Sequence, residues 1–170
     1  MPSVGPVPGS PAAARDRALL AVDLGVRTGL ALYGGDGRLR WYRSHNFGSA
    51  ERLRRAVPAL LDGIPALDLL VIEGGGALAD AWLRAAARRA LAVRQIGAEA
   101  WRQLFLLPRE QRRGIDAKRH AGALARGVIE WSAAARPTAL RHDAAEAILV
   151  GLWGVLDAGW LDTVPSALRR

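Results

Sequence analysis

The chain contains no cysteine, which excludes disulfides, thiolate metal sites and cysteine nucleophiles and fits a reducing, cytoplasmic setting. Lysine is almost as scarce, Lys118 being the only one among 24 Lys and Arg residues. No apolar run approaches the ~20 residues a membrane-spanning helix needs, so no membrane role is expected. The first 17 residues carry four prolines but no apolar signal-peptide core. Residues 1–17 therefore read as a disordered leader, 18–160 as a single domain and 161–170 as a C-terminal tail. At 170 residues the chain is long enough for one substantial core, and 51% of it is hydrophobic. The net charge of +8 favours a polyanionic partner such as nucleic acid over a neutral small molecule.

Periodicity gives strands first and alternation afterwards. Leu19–Leu24, Gly29–Tyr33 and a segment around Arg38–Asn46, joined through the turn Gly34-Gly35-Asp36-Gly37, read as an antiparallel meander. Ser49 is placed to cap a helix running to about Leu61, with Leu53, Val57, Leu60 and Leu61 on one stripe. Asp68–Glu73 is short and aliphatic, as a strand covered on both faces should be, and the helix before it implies parallel pairing. Helices are predicted over Ala77 to about Ala90, Ala98–Leu106, Asp116–Ala135 and Asp143 to about Asp157, with a last strand at Leu91–Ile96. The expected fold class is α/β, with helices packed on a central mixed sheet.

Acidic residues stand at three places in this pattern. Asp23 closes the apolar run from Ala18, Glu73 closes Leu69–Ile72, and Asp143 and Glu146 open the last apolar helix. A carboxylate ending a buried strand is costly unless it is paired. Four acids with no fixed cation among them suit Mg²⁺ or Mn²⁺ and point to two-metal phosphodiester chemistry. Each acid also has a structural reading. Asp23 serves equally as a turn former before Gly25. Gly74-Gly75-Gly76 after Glu73 reads either as close approach of a bulky ligand or as a flexible loop. Asp143 and Glu146 have capping-box spacing, yet residues three apart also share a helix face.

The order Leu19-Leu20-Ala21-Val22-Asp23-Leu24-Gly25, then Val71-Ile72-Glu73, then Asp143-Ala144-Ala145-Glu146-Ala147, resembles the RuvC-type Holliday-junction resolvases of the RNase H-like superfamily. The likeness covers about Leu19 to Leu156. It implies a five-stranded mixed sheet, three antiparallel strands followed by parallel ones, in which the first and fourth strands are parallel neighbours. Asp23, Glu73, Asp143 and Glu146 are then the catalytic and metal-binding residues of a Mg²⁺-dependent endonuclease. Two ions per site are implied, with Mn²⁺ as a substitute. Glu146 stands where these resolvases usually carry Asp. The implied partner is DNA, above all a four-way junction, and symmetric cutting of a junction implies a homodimer.

Phosphate contacts are expected where basic residues cluster: Arg84 and Arg88 after the glycines, Arg112 and Arg113 in the segment from Leu107 to Gly114, and Lys118 and Arg119 just beyond. The resemblance supports Lys118 and Arg119 in particular, and the 107–114 segment reads as a mobile substrate-contacting loop or a solvated connection. Trp82 and Trp101 are available for stacking on bases or for the core. His142, beside the acids, reads as a water-positioning group or as solvent-facing. Alternatives are another RNase H-like nuclease such as an RNA-processing enzyme, or a nucleic-acid-binding relative without resolvase activity. Asp23-Leu24-Gly25 with Thr28-Gly29 is also similar to the phosphate loop of actin-like and sugar-kinase ATPases, which need a second similar domain.

Overall fold

The computed structural model describes residues 17–169, so the leader expected over 1–17 lies outside them apart from Arg17. The strands are β1 (Ala18–Asp23), β2 (Arg27–Gly34), β3 (Leu39–Asn46), β4 (Leu67–Glu73) and β5 (Ala92–Ile96). The helices are α1 (Ala50–Asp62), α2 (Ala77–Ala87), α3 (Ala98–Phe105), α4 (Gly114–Ser132) and α5 (His142–Asp157), with 3₁₀ turns at Pro108–Gln111 and Ser166–Leu168. Among the described residues no helix is long and apolar enough to cross a membrane.

The strands form one sheet in the order β3-β2-β1-β4-β5. β1 pairs antiparallel with β2 and parallel with β4, β2 pairs antiparallel with β3, and β4 pairs parallel with β5. The expected five-stranded mixed sheet is therefore present. Side chains alternate across it. Leu19, Ala21, Tyr33 and Val71 join the core under α4 and α5, while Leu20, Val22, Leu30 and Ile72 join the core with Leu53, Val57 and Trp82 of α1 and α2. Ser49 caps α1 by accepting from the Arg52 N–H at 3.2 Å.

α5 is buried along most of its length because it lies directly on the sheet. Glycines allow this approach. A methyl group on Gly29 of β2 would fall 1.9 Å from the Asp143 carbonyl oxygen, and one on Gly154 would fall 2.8 Å from Val71. The helix crosses the sheet obliquely, from Gly29 and Ser44 near its start, past Tyr33 and Ala21 at Gly151, to Arg94 of β5, which pairs with Asp157 at 3.3 Å.

Two readings that the sequence left open are decided here. Trp82 and Trp101 are both 0% exposed, so neither stacks on a base; their large apolar surfaces are consumed by the two cores. The segment after Leu107 is folded, with Arg112 and Arg113 exposed at its end. Glu110, 6% exposed, accepts from the Leu107 N–H at 2.9 Å and faces His120 Nδ1 at 3.2 Å. Gln111 ties the turn to the carbonyls of Leu106 (2.9 Å) and Arg102 (3.3 Å).

Candidate active site

The parallel register of β1 and β4 sets Asp23 directly opposite Glu73. The pairing continues one step beyond both strands, with the Leu24 N–H donating to the Glu73 carbonyl at 3.1 Å and the Gly74 N–H to the Ile96 carbonyl at 3.0 Å. Period-two alternation puts Asp23 on the face of Leu19 and Ala21, and Glu73 on the face of Leu69 and Val71. Both are the faces that α5 covers. Directly after Glu73, Gly74 and Gly76 adopt positive φ of 110° and 73°, releasing the chain from the sheet into α2.

α5 brings Asp143 and Glu146 over the same strand ends, three residues apart on one helix face. The N-cap of this helix is Arg141, and no side chain caps it. The Asp143 carboxylate instead accepts from the Ser44 hydroxyl on β3. That non-local bond removes the capping-box reading of the pair. Asp23 likewise makes no turn-forming bond to backbone N–H groups among the described residues.

Three of the acids each have one donor. Trp101 Nε1 donates to Glu73 Oε2 at 2.7 Å, Ser44 donates to Asp143, and Arg102 Nη2 lies 3.5 Å from Glu146 Oε1. Trp101 and Arg102 are consecutive on α3, so one short helix serves two carboxylates. Among the described residues Asp23 has no such donor, and its side-chain hydrogen bond is shared with Glu146. Burial first, then the charges of Glu146, Glu73 and Asp143, and a hydrogen bond to Glu146, push its pKa from an ordinary 3.8 to about 8. Burial also raises Glu73, opposed by the Trp101 hydrogen bond, with Glu146 pushing further up and Arg102 pulling down.

Oxygen-only acids carrying surplus negative charge match the chemistry of a hard divalent cation. As the side chains stand, no three acid or histidine groups among the described residues surround a common point closely enough to hold an ion. One oxygen each of Glu73, Asp143 and Glu146 is taken by Trp101, Ser44 and Arg102, while Glu146 also bonds Asp23. The donor set fits such a cation once the remaining oxygens converge on it.

The six predicted phosphate contacts do not form one wall. Arg84 and Arg88 are exposed on α2, which leaves the Glu73 end and runs back along the sheet; at 1.5 Å per residue they lie roughly 10 and 16 Å beyond its first residue. The neighbouring Arg89 is tied to Asp62 at the far end of α1. Arg112, Arg113, Lys118 and Arg119 are exposed on the opposite side of the sheet, Arg119 lying 3.6 Å from Asp116. His142 is exposed beside Asp143. The Thr28 hydroxyl is wholly buried and donates to the Gly25 carbonyl at 2.6 Å, so it braces the β1–β2 turn and does not face a phosphate.

Sequence reasoning missed Ser44, Trp101 and Arg102 as partners of the acids. Their acids lie 99, 28 and 44 positions away, and no local pattern signals such pairings.

No protein-family model matches the sequence, and no curated protein matches it. Solved structures do match in shape. Thermus thermophilus RuvC in complex with a Holliday junction substrate superposes with a TM-score of 0.61 at 16% identity, over 84% of this chain and 95% of that one. A second T. thermophilus RuvC structure gives a TM-score of 0.57 at 18% identity with the same coverage. The chain therefore has the RuvC-like, RNase H-like fold.

Proposed function

We propose that this chain is a divalent-metal-dependent, structure-selective DNA endonuclease that resolves four-way junctions. One observation carries the reading: Asp23 and Glu73 are in register on adjacent parallel strands beside Asp143 and Glu146 of α5, where burial and then the neighbouring carboxylates raise Asp23 to about 8. A raised carboxylate held between two structural scaffolds is characteristic of a site built for an ion or a proton. The likeness in fold to a RuvC protein solved with a Holliday junction supports the choice of substrate.

Asp23, Glu73, Asp143 and Glu146 would hold two Mg²⁺ ions, for which Mn²⁺ substitutes. When bound, such ions activate a water and stabilise the leaving 3′-oxygen. The protein's part is orientation. Trp101 fixes one Glu73 oxygen and leaves the other for a ligand, and Ser44 does the same for Asp143. Arg102 balances charge at Glu146. Arg112, Arg113, Lys118 and Arg119, exposed on the side of the sheet that α4 and α5 cover, would meet phosphates. Cutting both strands of a junction symmetrically calls for a homodimer.

The test is a panel of four-way junction, flap, RNA–DNA hybrid and plain duplex, each with Mg²⁺ and with EDTA. The junction should be cut preferentially and only with the metal. Equal cutting of all substrates would remove the resolvase reading and keep the nuclease one. Preferential cutting of RNA-containing substrates would favour the RNA-processing alternative.

A further inference from the structure

A single fixed cation stands among the carboxylates. Among the described residues the only ion pair to Asp23, Glu73, Asp143 or Glu146 is made by Arg102, whose Nη2 lies 3.5 Å from Glu146 Oε1. Its charge also reaches Glu73, where it opposes the effect of burial.

Packing and the backbone hold Arg102 in this position. Its carbonyl accepts from the Leu106 N–H at 2.8 Å and from Gln111 Nε2 at 3.3 Å, which fixes the end of α3 on the turn that follows. Its guanidinium carbon lies 5.2 Å from the centre of the Trp101 ring, within cation–π range. That ring is wholly buried and donates to Glu73. Consecutive residues of one helix thus set an indole against Glu73 and a guanidinium against Glu146.

The guanidinium is poorly matched where it stands. Its one bond to Glu146 is long, since charge-assisted pairs of this kind usually measure about 2.7–2.9 Å. Nε is buried and has no partner. A plain counter-ion for Glu146 would form a bidentate pair, because the planar fork matches both oxygens of a carboxylate. An unmatched buried donor on a charged group costs stability, so the arrangement is completed by a further anionic acceptor. The same fork matches two oxygens of a phosphate. The Arg102 side chain is 35% exposed against 17% for Glu146, which leaves it an open side for such a group to approach.

We propose that Arg102 is a catalytic residue of the cleavage reaction: its guanidinium exchanges its one bond to Glu146 for a non-bridging oxygen of the phosphate being cut, where negative charge builds in the transition state. The assignment rests on the nuclease reading of the site. Glu146 engaged as a metal ligand attracts the guanidinium less, and Trp101 and α3 keep the released side chain within reach of the centre.

The experiment compares wild type, Arg102→Gln, Arg102→Lys and, as an exposed neighbour on α3, Gln103→Ala. Three quantities are measured: Mg²⁺ affinity by calorimetry, four-way-junction affinity in Ca²⁺, and single-turnover cleavage at saturating Mg²⁺ and protein. Arg102→Gln should bind Mg²⁺ at least as tightly as wild type, because a positive charge beside the ligands is gone. Its cleavage rate should fall about 100-fold or more, the usual effect of removing one donor to a transition-state oxyanion. Its junction affinity should change far less, since the contact is made chiefly in the transition state. Arg102→Lys, which keeps the charge and loses the fork, should recover part of the rate. Gln103→Ala should match wild type throughout. Thermal melts of the metal-free proteins show that each variant is folded. If Arg102→Gln is not, Arg102→Lys carries the comparison, with a rate about tenfold or more below wild type at unchanged Mg²⁺ affinity. A wild-type rate in the variant overturns the proposal. So does a loss of Mg²⁺ affinity with cleavage restored at saturating Mg²⁺, which reduces Arg102 to a positioning residue for Glu146. A folded wild-type protein that binds the junction and does not cut it in Mg²⁺ overturns the nuclease reading and this assignment with it.

Discussion

The indole nitrogen of Trp101 donates to Glu73 Oε2 across 2.7 Å, from a ring that is wholly buried. The bond links the first turns of α3 to the end of β4. It also opposes the burial that raises the Glu73 pKa, so it favours the ionised carboxylate. A tryptophan that the sequence offered to the core or to base stacking is thus a core residue that also supports a candidate metal ligand.

Replacing Trp101 by Phe keeps an aromatic body and removes the donor. A hydrogen bond to a charged group contributes about 1.5–3 kcal/mol, and the smaller ring adds a packing loss, so urea unfolding should show a destabilisation of about 2–4 kcal/mol. Mg²⁺ affinity, read by calorimetry, should fall about 10- to 100-fold, the usual cost of losing a partner that orients a metal ligand. Trp82→Phe serves as comparison: its indole nitrogen is buried without a partner. It should lose stability and retain metal affinity.

The Asp23 pKa gives stability a particular pH dependence. Its folded value of about 8 lies above the ordinary 3.8, so between these values the folded protein binds more protons than the unfolded chain. Metal-free stability should therefore fall as pH rises from about 4 to about 8, and Glu73, also raised, adds to the same trend. Asp23→Asn should flatten that slope and raise the melting temperature near pH 8 while abolishing cleavage. Added Mg²⁺ should raise the wild-type melting temperature near pH 8 and leave that of Asp23→Asn nearly unchanged. A melting temperature independent of pH in metal-free wild type would contradict the electrostatic description.

Gly29→Ala should damage the site without touching a carboxylate. Its new methyl would lie 1.9 Å from the Asp143 carbonyl oxygen, so α5 must lift from β2. Overpacking of this kind costs about 1–3 kcal/mol or more. Cleavage should fall with it, since Asp143 moves. Gly122→Ala on α4, where nothing lies within 4 Å of the added carbon, should stabilise by up to about 1 kcal/mol.

Much of the fold was legible because its signals are local. The alternation of Leu19–Asp23 and the aliphatic run closed by Glu73 each mark a strand, and Ser49 marks the start of α1 through a bond to a residue three positions on. The four acids were legible as exceptions to apolar patterns. What stayed hidden depends on tertiary contact. Asp143 and Glu146 fit a capping box in sequence, and only the approach of β3 shows that Asp143 bonds Ser44. Trp101 and Arg102 meet their acids because α3 begins where β5 ends, beside Glu73. The basic surface was misjudged for the same reason: Arg84 and Arg119, grouped in sequence as one basic region, sit on helices that cover opposite sides of the sheet.

The most direct measurement is cleavage of a four-way junction in Mg²⁺ by Asp143→Asn beside wild type. Asparagine keeps an oxygen for Ser44 and no longer supplies a charged ligand, so folding should be nearly unchanged. The account predicts wild-type cutting that EDTA abolishes, and a variant rate below about one-hundredth of it. A folded Asp143→Asn protein that cuts at the wild-type rate would contradict the proposed centre.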